Sequence, residues 1–181
     1  MLFRSQFDAL TSATTVIATN GCPPDLYNDE NYGPEATSDG RFVVYTARVT
    51  NNVSAYCTLR CWDRTSGTNI GVSVNLSGDI ITNSTSLAPT ISEDGRFVTF
   101  ISDATDLVTN SISNGFHIYR RDLVTSSAEL MDVNLSGVGA TKVWSELFPS
   151  MSADGRFVAF SAPDGNLVAA LNFVAGFGAK R

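Results

Sequence analysis

Three segments of the chain share one pattern of apolar and polar positions. They read GRFVVY, GRFVTF and GRFVAF and begin at Gly40, Gly95 and Gly155. Their β-branched and aromatic residues occupy both alternating positions, which predicts strands that are covered on both faces. Since no stretch shows a sustained apolar pattern at helical period with caps, the sequence predicts an all-β fold.

These segments belong to a longer internal repeat. The chain reads PEATSDGRFVVY from Pro34, PTISEDGRFVTF from Pro89 and PSMSADGRFVAF from Pro149. A phrase that recurs at such intervals predicts an array of similar structural units. We expect residues 1–181 to form a single array, with units at approximately 13–65, 66–126 and 127–181.

Each full unit carries four extended blocks. A proline starts a short inner strand, and an Asp-Gly turn leads into the apolar second strand. LRCWDRTSG from Leu59 and IYRRDLVTSS from Ile118 predict a third strand and its turn, and the outer strands are expected at 14–21, 72–78 and 131–137. Four antiparallel strands per unit are typical of β-propeller blades. The block at 14–21 precedes any blade of its own, so it is expected to complete another blade.

The repeated phrase P-x-x-[ST]-x-D-G-R-F-V-x-[FY] resembles the WD40-like repeat of TolB-type β-propellers, although it lacks the Trp and the second Pro of their common form. The resemblance covers roughly residues 14–168 and implies a propeller that scaffolds or binds. Not quite three blades are counted, whereas propellers have about four to eight. The chain is therefore either a fragment or one copy in a homo-oligomeric ring, in which two copies would give six blades. AALNFVAGFGAKR at 169–181 does not match the third-strand block GFHIYRRDL at 115–123.

The amino-acid composition limits the classes of partner that the chain is expected to bind. With 181 residues, 43% of them hydrophobic, the chain is large enough for an ordinary core. The net charge of -6 argues against binding to a nucleic-acid backbone, which needs a positive field. No window has the roughly 18 apolar residues needed to span a membrane. Few lysines among many Ser, Thr and Asn residues resemble exported propellers, which favours a periplasmic or extracellular location.

The three cysteines suggest no metal site. Cys57 and Cys61 would lie about 13 Å apart on a straight strand, too far for a disulfide. Zinc needs four ligands, and His117 is the only histidine. We expect small buried or free thiols, with a disulfide that involves Cys22 as the second interpretation if the protein is exported.

Loops offer the candidate ligand contacts. The residues expected to face a ligand are Arg48, Asn51, Asp103, Asp106 and Asn114. Carboxylates in such loops could hold a hard cation, but Arg48 and Asn51 stand at the matching places of the first unit. We therefore predict no metal and no cofactor.

Catalysis is not expected. His117 should lie partly exposed on a third strand, and no Gly-x-Ser-x-Gly elbow or orienting residue accompanies it. The recurring Arg41, Arg96 and Arg156 indicate a structural ion pair or hydrogen bond with an acidic turn residue in each blade.

The sequence thus predicts a non-catalytic module that recognises a protein, a carbohydrate or another small ligand. Two alternatives remain. One is the propeller part of a larger serine hydrolase of the prolyl-oligopeptidase type. The other is a lectin-like propeller, which would need exposed aromatic residues such as Trp62, Trp144 or Tyr119.

Overall fold

A computed structural model describes residues 4–22, 33–50, 54–140, 148–162 and 167 of the chain. These residues form strands joined by turns and loops, in two four-stranded sheets and two two-stranded sheets. The all-β prediction is confirmed. Asn51 and Trp144 lie outside the described residues.

The two four-stranded sheets are complete propeller blades. Blade 1 contains β3 (Glu35–Ala36), β4 (Phe42–Thr50), β5 (Ala55–Asp63) and β6 (Thr68–Gly71) in that spatial order. Blade 2 contains β7 (Ser86–Ile91), β8 (Phe97–Ser102), β9 (His117–Asp122) and β10 (Ser127–Leu130). All neighbouring strands are antiparallel. Each blade is thus a simple meander, as the repeat predicts.

The outer strands differ in position from the prediction. They are β6 and β10, which begin directly after the Thr-Ser turns, rather than the blocks at 72–78 and 131–137. Those blocks enter loops that are closed by the bridges Val74↔Ile80 and Val133↔Gly139. Asn75 Oδ1 accepts hydrogen bonds from the backbone N–H groups of Ser77 and Asp79, which ends the extended conformation. The Asn-Leu-Ser segments are therefore turns.

A two-stranded sheet stands at each end of the described chain. The N-terminal hairpin pairs β1 (Arg4–Asp8) with β2 (Ala13–Ala18), and the C-terminal hairpin pairs β11 (Ser150–Met151) with β12 (Val158–Ala159). The predicted strand at 14–21 is thus present as β2. Its partner β1 was missed because Arg4–Asp8 has little apolar pattern.

Apolar side chains fill the spaces between successive sheets. Val43, Tyr45 and Ala47 of β4 pack towards the N-terminal hairpin with Ile17. Val44, on the opposite face of the same strand, packs with Val98 and Phe100 of blade 2. The second strand is therefore buried on both faces, as its continuous apolar run predicts.

The cysteines correct one expectation. Cys22 and Cys57 form a disulfide with a Cα–Cα distance of 5.8 Å, so the interpretation of all three as free thiols is wrong and the second one is right. The bond joins the segment after β2 to the start of β5. Cys61 is a free, fully buried thiol, and burial raises its pKa to about 12.

Candidate functional site

The candidate site is a cleft between the outer parts of blades 1 and 2. Its volume is about 690 Å³. The lining comes from the β6 edge and the following loop 74–80, from loop 107–110, and from the start of β10. Amide and hydroxyl groups dominate its polar part, and they come from Asn69, Asn75, Ser77, Thr109, Asn110, Ser126 and Ser127. No described residue that lines this cleft is acidic.

Arg121 is one of two arginines that line the cleft. It lies on β9 opposite Val98, which belongs to the core between the two blades, so its side chain turns towards blade 1. Arg121 is only 8% exposed, and its Nε is buried without a hydrogen-bond partner. Burial lowers the pKa of this guanidinium, because desolvation disfavours the cation. A buried cation in a cleft that has no carboxylate favours binding of an anion.

Arg60 also lines the cleft, and its Nε is buried without a partner too. The strand register separates the two arginines. Arg60 lies opposite Tyr45, whose side chain packs on the other face of blade 1, towards the N-terminal hairpin. Arg121 therefore carries the electrostatic argument for this cleft.

The predicted ligand-facing residues do not come together at one site. Arg48 is exposed at the end of β4, where its backbone bonds to Asn20. Asp103 is half-buried, and its carboxylate accepts a hydrogen bond from the Thr85 N–H; burial raises its pKa. Asn114 is exposed.

Asp106 is the predicted residue that comes nearest the cleft. Its carbonyl oxygen accepts a hydrogen bond from the Leu76 N–H, which joins loop 107–110 to loop 74–80 across the blades. Asp106 thus helps to hold the walls of the cleft, although its own side chain is not among the lining groups. Sequence reasoning missed Arg121. The sequence did contain a signal for it, because Arg121 aligns with Trp62 in the repeat. Trp62 is buried in blade 1, and a buried arginine at the equivalent position of blade 2 indicates a candidate functional residue.

His117 is fully buried, so its predicted partial exposure is wrong. Its Nδ1 lies 2.8 Å from Asp132 Oδ2, and its Nε2 lies 3.1 Å from the Ser113 carbonyl oxygen. Asp132 is also fully buried, and its Oδ1 accepts a hydrogen bond from the Ile118 N–H. Asp132 is the orienting partner that the sequence did not reveal. A pair sealed from solvent in this way links the loop after β10 to β9 and cannot reach a substrate in this structure.

Two of the three recurring arginines, Arg41 and Arg96, have the structural role that the sequence predicts. Arg41 pairs with Asp63 at 3.2 Å, and Arg96 pairs with Asp122 at 2.7 Å. These bonds join the second strand of each blade to the end of its third strand. They lower the pKa of both carboxyl groups, because the hydrogen-bonded cation stabilises the anion.

The described residues form neither a metal centre nor a membrane-spanning helix. Within them, no group of three or more His, Cys, Asp or Glu side chains is placed to hold a metal ion. The same part of the chain includes no helix long and apolar enough to cross a membrane. Trp62 and Tyr119 are buried, so neither provides the exposed aromatic surface that a lectin-like site would need.

Comparison with known proteins identifies the fold. No family model matches the chain, and no curated protein matches it. Among solved structures, TolB from Acinetobacter baumannii is similar at 16% identity and a TM-score of 0.50, over 90% of this chain and 32% of that chain. The tricorn protease is similar at 14% identity and a TM-score of 0.46, over 67% of this chain and 12% of that chain.

A further similar structure is the β-propeller domain of the Trilobed protease from Pyrococcus furiosus, at 19% identity and a TM-score of 0.43, over 70% of this chain and 32% of that chain. The chain therefore spans a third or less of the length of these proteins. Together with the observed blades, the likeness to TolB shows that the chain has the fold of a TolB-like β-propeller.

Proposed function

We propose that this chain is a non-catalytic recognition module that binds a small polar ligand carrying one anionic group in the cleft between blades 1 and 2. The observation that carries the proposal is Arg121, which is 8% exposed and has a buried Nε without a partner. Burying a guanidinium N–H without a hydrogen-bond partner costs free energy, and a ligand anion that accepted this hydrogen bond would offset part of the cost.

The rest of the cleft favours a hydroxyl-rich ligand. Asn69, Asn75 and Ser127 supply amide and hydroxyl groups that can both donate and accept hydrogen bonds. The cleft volume of about 690 Å³ lies within the usual range for small-molecule sites. An acidic sugar combines a carboxylate for Arg121 with hydroxyl groups for these side chains, so it is the ligand class that we propose.

The disulfide supports an exported location for this module. Disulfides persist in oxidising compartments and are rare in the cytosol. The Cys22–Cys57 bond therefore fits a periplasmic or extracellular protein, in which free saccharides and cell-surface glycans are accessible.

The hydrolase alternative lacks a specific observation in its favour. The one His–Asp pair is fully buried, and His117 Nε2 faces a backbone carbonyl oxygen rather than a nucleophile. We expect no turnover of peptide or glycoside substrates by the purified chain. Turnover that disappears in His117→Ala, with the fold intact, would contradict the proposal.

Isothermal titration with glucuronate and with glucose tests the proposed ligand class directly. We expect saturable glucuronate binding that weakens as salt increases, and tenfold or more weaker binding in Arg121→Gln. The control is Arg64→Gln, which removes an exposed arginine that does not line the cleft. Equal binding of the neutral and the acidic sugar, or unchanged binding in Arg121→Gln with an unchanged melting temperature, would overturn the proposal.

A further inference from the structure

The N-terminal hairpin has the geometry of a blade's third and fourth strands. Asp8, Asp63 and Asp122 each end the strand before the turn, and each Oδ1 accepts a backbone N–H from two residues later. Four residues after each aspartate the backbone has positive φ, at Ser12 (55°), Gly67 (66°) and Ser126 (58°). The β1–β2 hairpin therefore corresponds to β5–β6 and β9–β10, and within the described part of the chain no first or second strand pairs with it.

The C-terminal hairpin is the opposite half of a blade. Met151 pairs with Val158 in the register in which Ala36 pairs with Val43 and Ile91 with Val98. The Ser152–Asp154 hydrogen bond of its turn repeats those of Thr37–Asp39 and Ser92–Asp94. The β11–β12 hairpin thus corresponds to strands one and two. Among the described residues, β12 has no strand on its other edge.

The N-terminal hairpin already sits where a preceding blade belongs. Gln6 Nε2 donates to the Gly40 carbonyl oxygen at 2.7 Å, and Arg120, its counterpart in blade 2, donates to the Gly155 carbonyl oxygen at 2.8 Å. Gly40 and Gly155 occupy the same turn position in the first and third units. The hairpin therefore packs on blade 1 as blade 2 packs on the C-terminal hairpin.

Two groups in these hairpins do not form, with any residue that the structure describes, the ion pair that their counterparts form within a blade. In each complete blade the arginine before the second strand pairs with the aspartate that ends the third strand. In the half-blades the corresponding residues are Arg156 and Asp8. Arg156 lies over the Phe157 ring, and Asp8 pairs with Arg64 of the neighbouring turn. Phe157 is 62% exposed, whereas the Phe42 and Phe97 rings cover Gly95 and Gly155 of the next unit.

We propose that the two hairpins are complementary halves of one blade, completed between two copies of this chain. β12 of one copy would pair antiparallel with β1 of the other, with Phe157 opposite Asp8 and Val158 opposite Phe7. This register is the one in which Phe42 pairs with Asp63 and Phe97 with Asp122.

Pairing in this register brings Arg156 of one copy to Asp8 of the other. It also places Phe157 over Gly40 of the other copy. With the two halves joined, the blades that the described residues form in one copy number three, below the usual minimum of about four, whereas those of two copies number six.

Charge exchange tests the proposed pairing. Light scattering should give twice the monomer mass for the parent, and the Asp8→Arg and Arg156→Asp variants should each give mostly monomer. An equimolar mixture of the two variants should recover the dimer, because position 8 of each variant then meets a residue of opposite charge at position 156 of the other. The control Arg64→Ala removes the existing partner of Asp8 and should leave the dimer intact.

A monomeric parent would overturn the proposal, and so would single variants that stay dimeric. If the charge variants fail to fold, oxidation of a mixture of Phe7→Cys and Val158→Cys provides the second test. Directly opposed residues of antiparallel strands have Cα atoms about 4.5 to 5.5 Å apart, which suits a disulfide. A covalent heterodimer on a non-reducing gel supports the pairing between copies, and its absence contradicts it.

Discussion

Blades 1 and 2 satisfy the same buried backbone N–H group of the third strand with different side-chain pairs. In blade 1, Thr58 Oγ1 lies 2.8 Å from Ser73 Oγ, which also accepts the Leu59 N–H. In blade 2, the same places hold His117 and Asp132, whose carboxylate accepts the Ile118 N–H. All four side chains are fully buried. The fold needs an acceptor for the N–H group of the third strand, but it does not dictate whether that acceptor is neutral or ionisable.

The same backbone thus accommodates two different buried polar pairs. Removing one member should lower the free energy of unfolding by a different amount in each blade. Loss of one hydroxyl leaves a neutral group without a partner. Loss of the histidine leaves the buried Asp132 with the Ile118 N–H but without its side-chain partner, which costs more because a carboxylate is harder to desolvate than a hydroxyl group.

The largest expected effect comes from breaking the pair in blade 2. His117→Thr should lower the free energy of unfolding by about 3–5 kcal/mol, since Asp132 remains buried without its partner. The double variant His117→Thr/Asp132→Ser, which copies the pair of blade 1, should recover much of this loss. Urea unfolding measures both values, and Thr58→Val in blade 1 is the control, with an expected loss of about 1–2 kcal/mol. A double variant no more stable than His117→Thr would show that the two pairs are not equivalent.

The second prediction concerns the boundary between the two blades. Gly95 has a φ of +72°, and a Cβ there would overlap the Phe42 ring. Gly95→Val should cost about 2–5 kcal/mol, because backbone strain and overpacking add. Gly67 has a φ of +66° with nothing within 4 Å, so Gly67→Val tests the backbone strain alone, at about 1–2 kcal/mol. Equal losses in thermal or urea unfolding would mean that the packing between blades contributes nothing at this turn.

Acid sensitivity should distinguish the two arginine–aspartate pairs. The pKa values of Asp63 and Asp122 are lowered in the folded state, so their stabilisation is complete above the ordinary aspartate pKa of about 4. It is lost as the pH falls towards the lowered values.

Asp122→Asn should therefore destabilise the protein at pH 7, with a difference from the parent that narrows below pH 4. Asp63→Asn should have a smaller effect, since Arg41 lies at 3.2 and 3.4 Å from Asp63 whereas Arg96 lies at 2.7 and 3.1 Å from Asp122. Unfolding curves from pH 2.5 to 7 measure this, and a difference that widens in acid would contradict the sign.

The smallest effect is expected at Cys61, the counterpart of Arg120 in blade 2. Arg120 reaches Glu129 and Gly155, whereas Cys61 is fully buried with a pKa raised to about 12. A thiol reagent at pH 8 should therefore label no cysteine in the native protein. Unfolding without reductant should expose one thiol, and unfolding with reductant should expose all three cysteines. Rapid native labelling would show that the core between blades 1 and 2 opens readily.

The blade core could be predicted from the sequence because its signals are local. The alternation of apolar residues in GRFVVY and the Asp-Gly turns depend on neighbours along the chain, and both appear as predicted. The outer strands were misplaced because the apolar residues around Val74 suggested a strand. There the Asn75 side chain closes a turn, while β6 itself is short and polar.

The site could be predicted only in part, because it depends on contacts between units. The histidine was visible, but Asp132 lies on a different block and becomes its partner only after the meander folds. The position of the Arg121 side chain depends on the register of β9, because successive residues of a strand point to opposite faces of the sheet. A shift of one residue would turn this side chain away from the cleft. Cys22 and Cys57 lie 35 residues apart, and spacing alone cannot show that their α-carbons meet.

The contact between Phe42 and Gly95, repeated between Phe97 and Gly155, gives the array a direction. Each ring belongs to one blade, and the absent Cβ that makes room for it belongs to the blade that follows. A substitution in the Asp-Gly turn of one unit therefore first disturbs the preceding unit, because it displaces the phenylalanine ring of that unit. In stacked arrays of this kind, stability is shared between nearest neighbours. Cooperativity along this chain accordingly has a polarity, and a defect introduced late in the sequence should loosen the unit before it rather than the one after it.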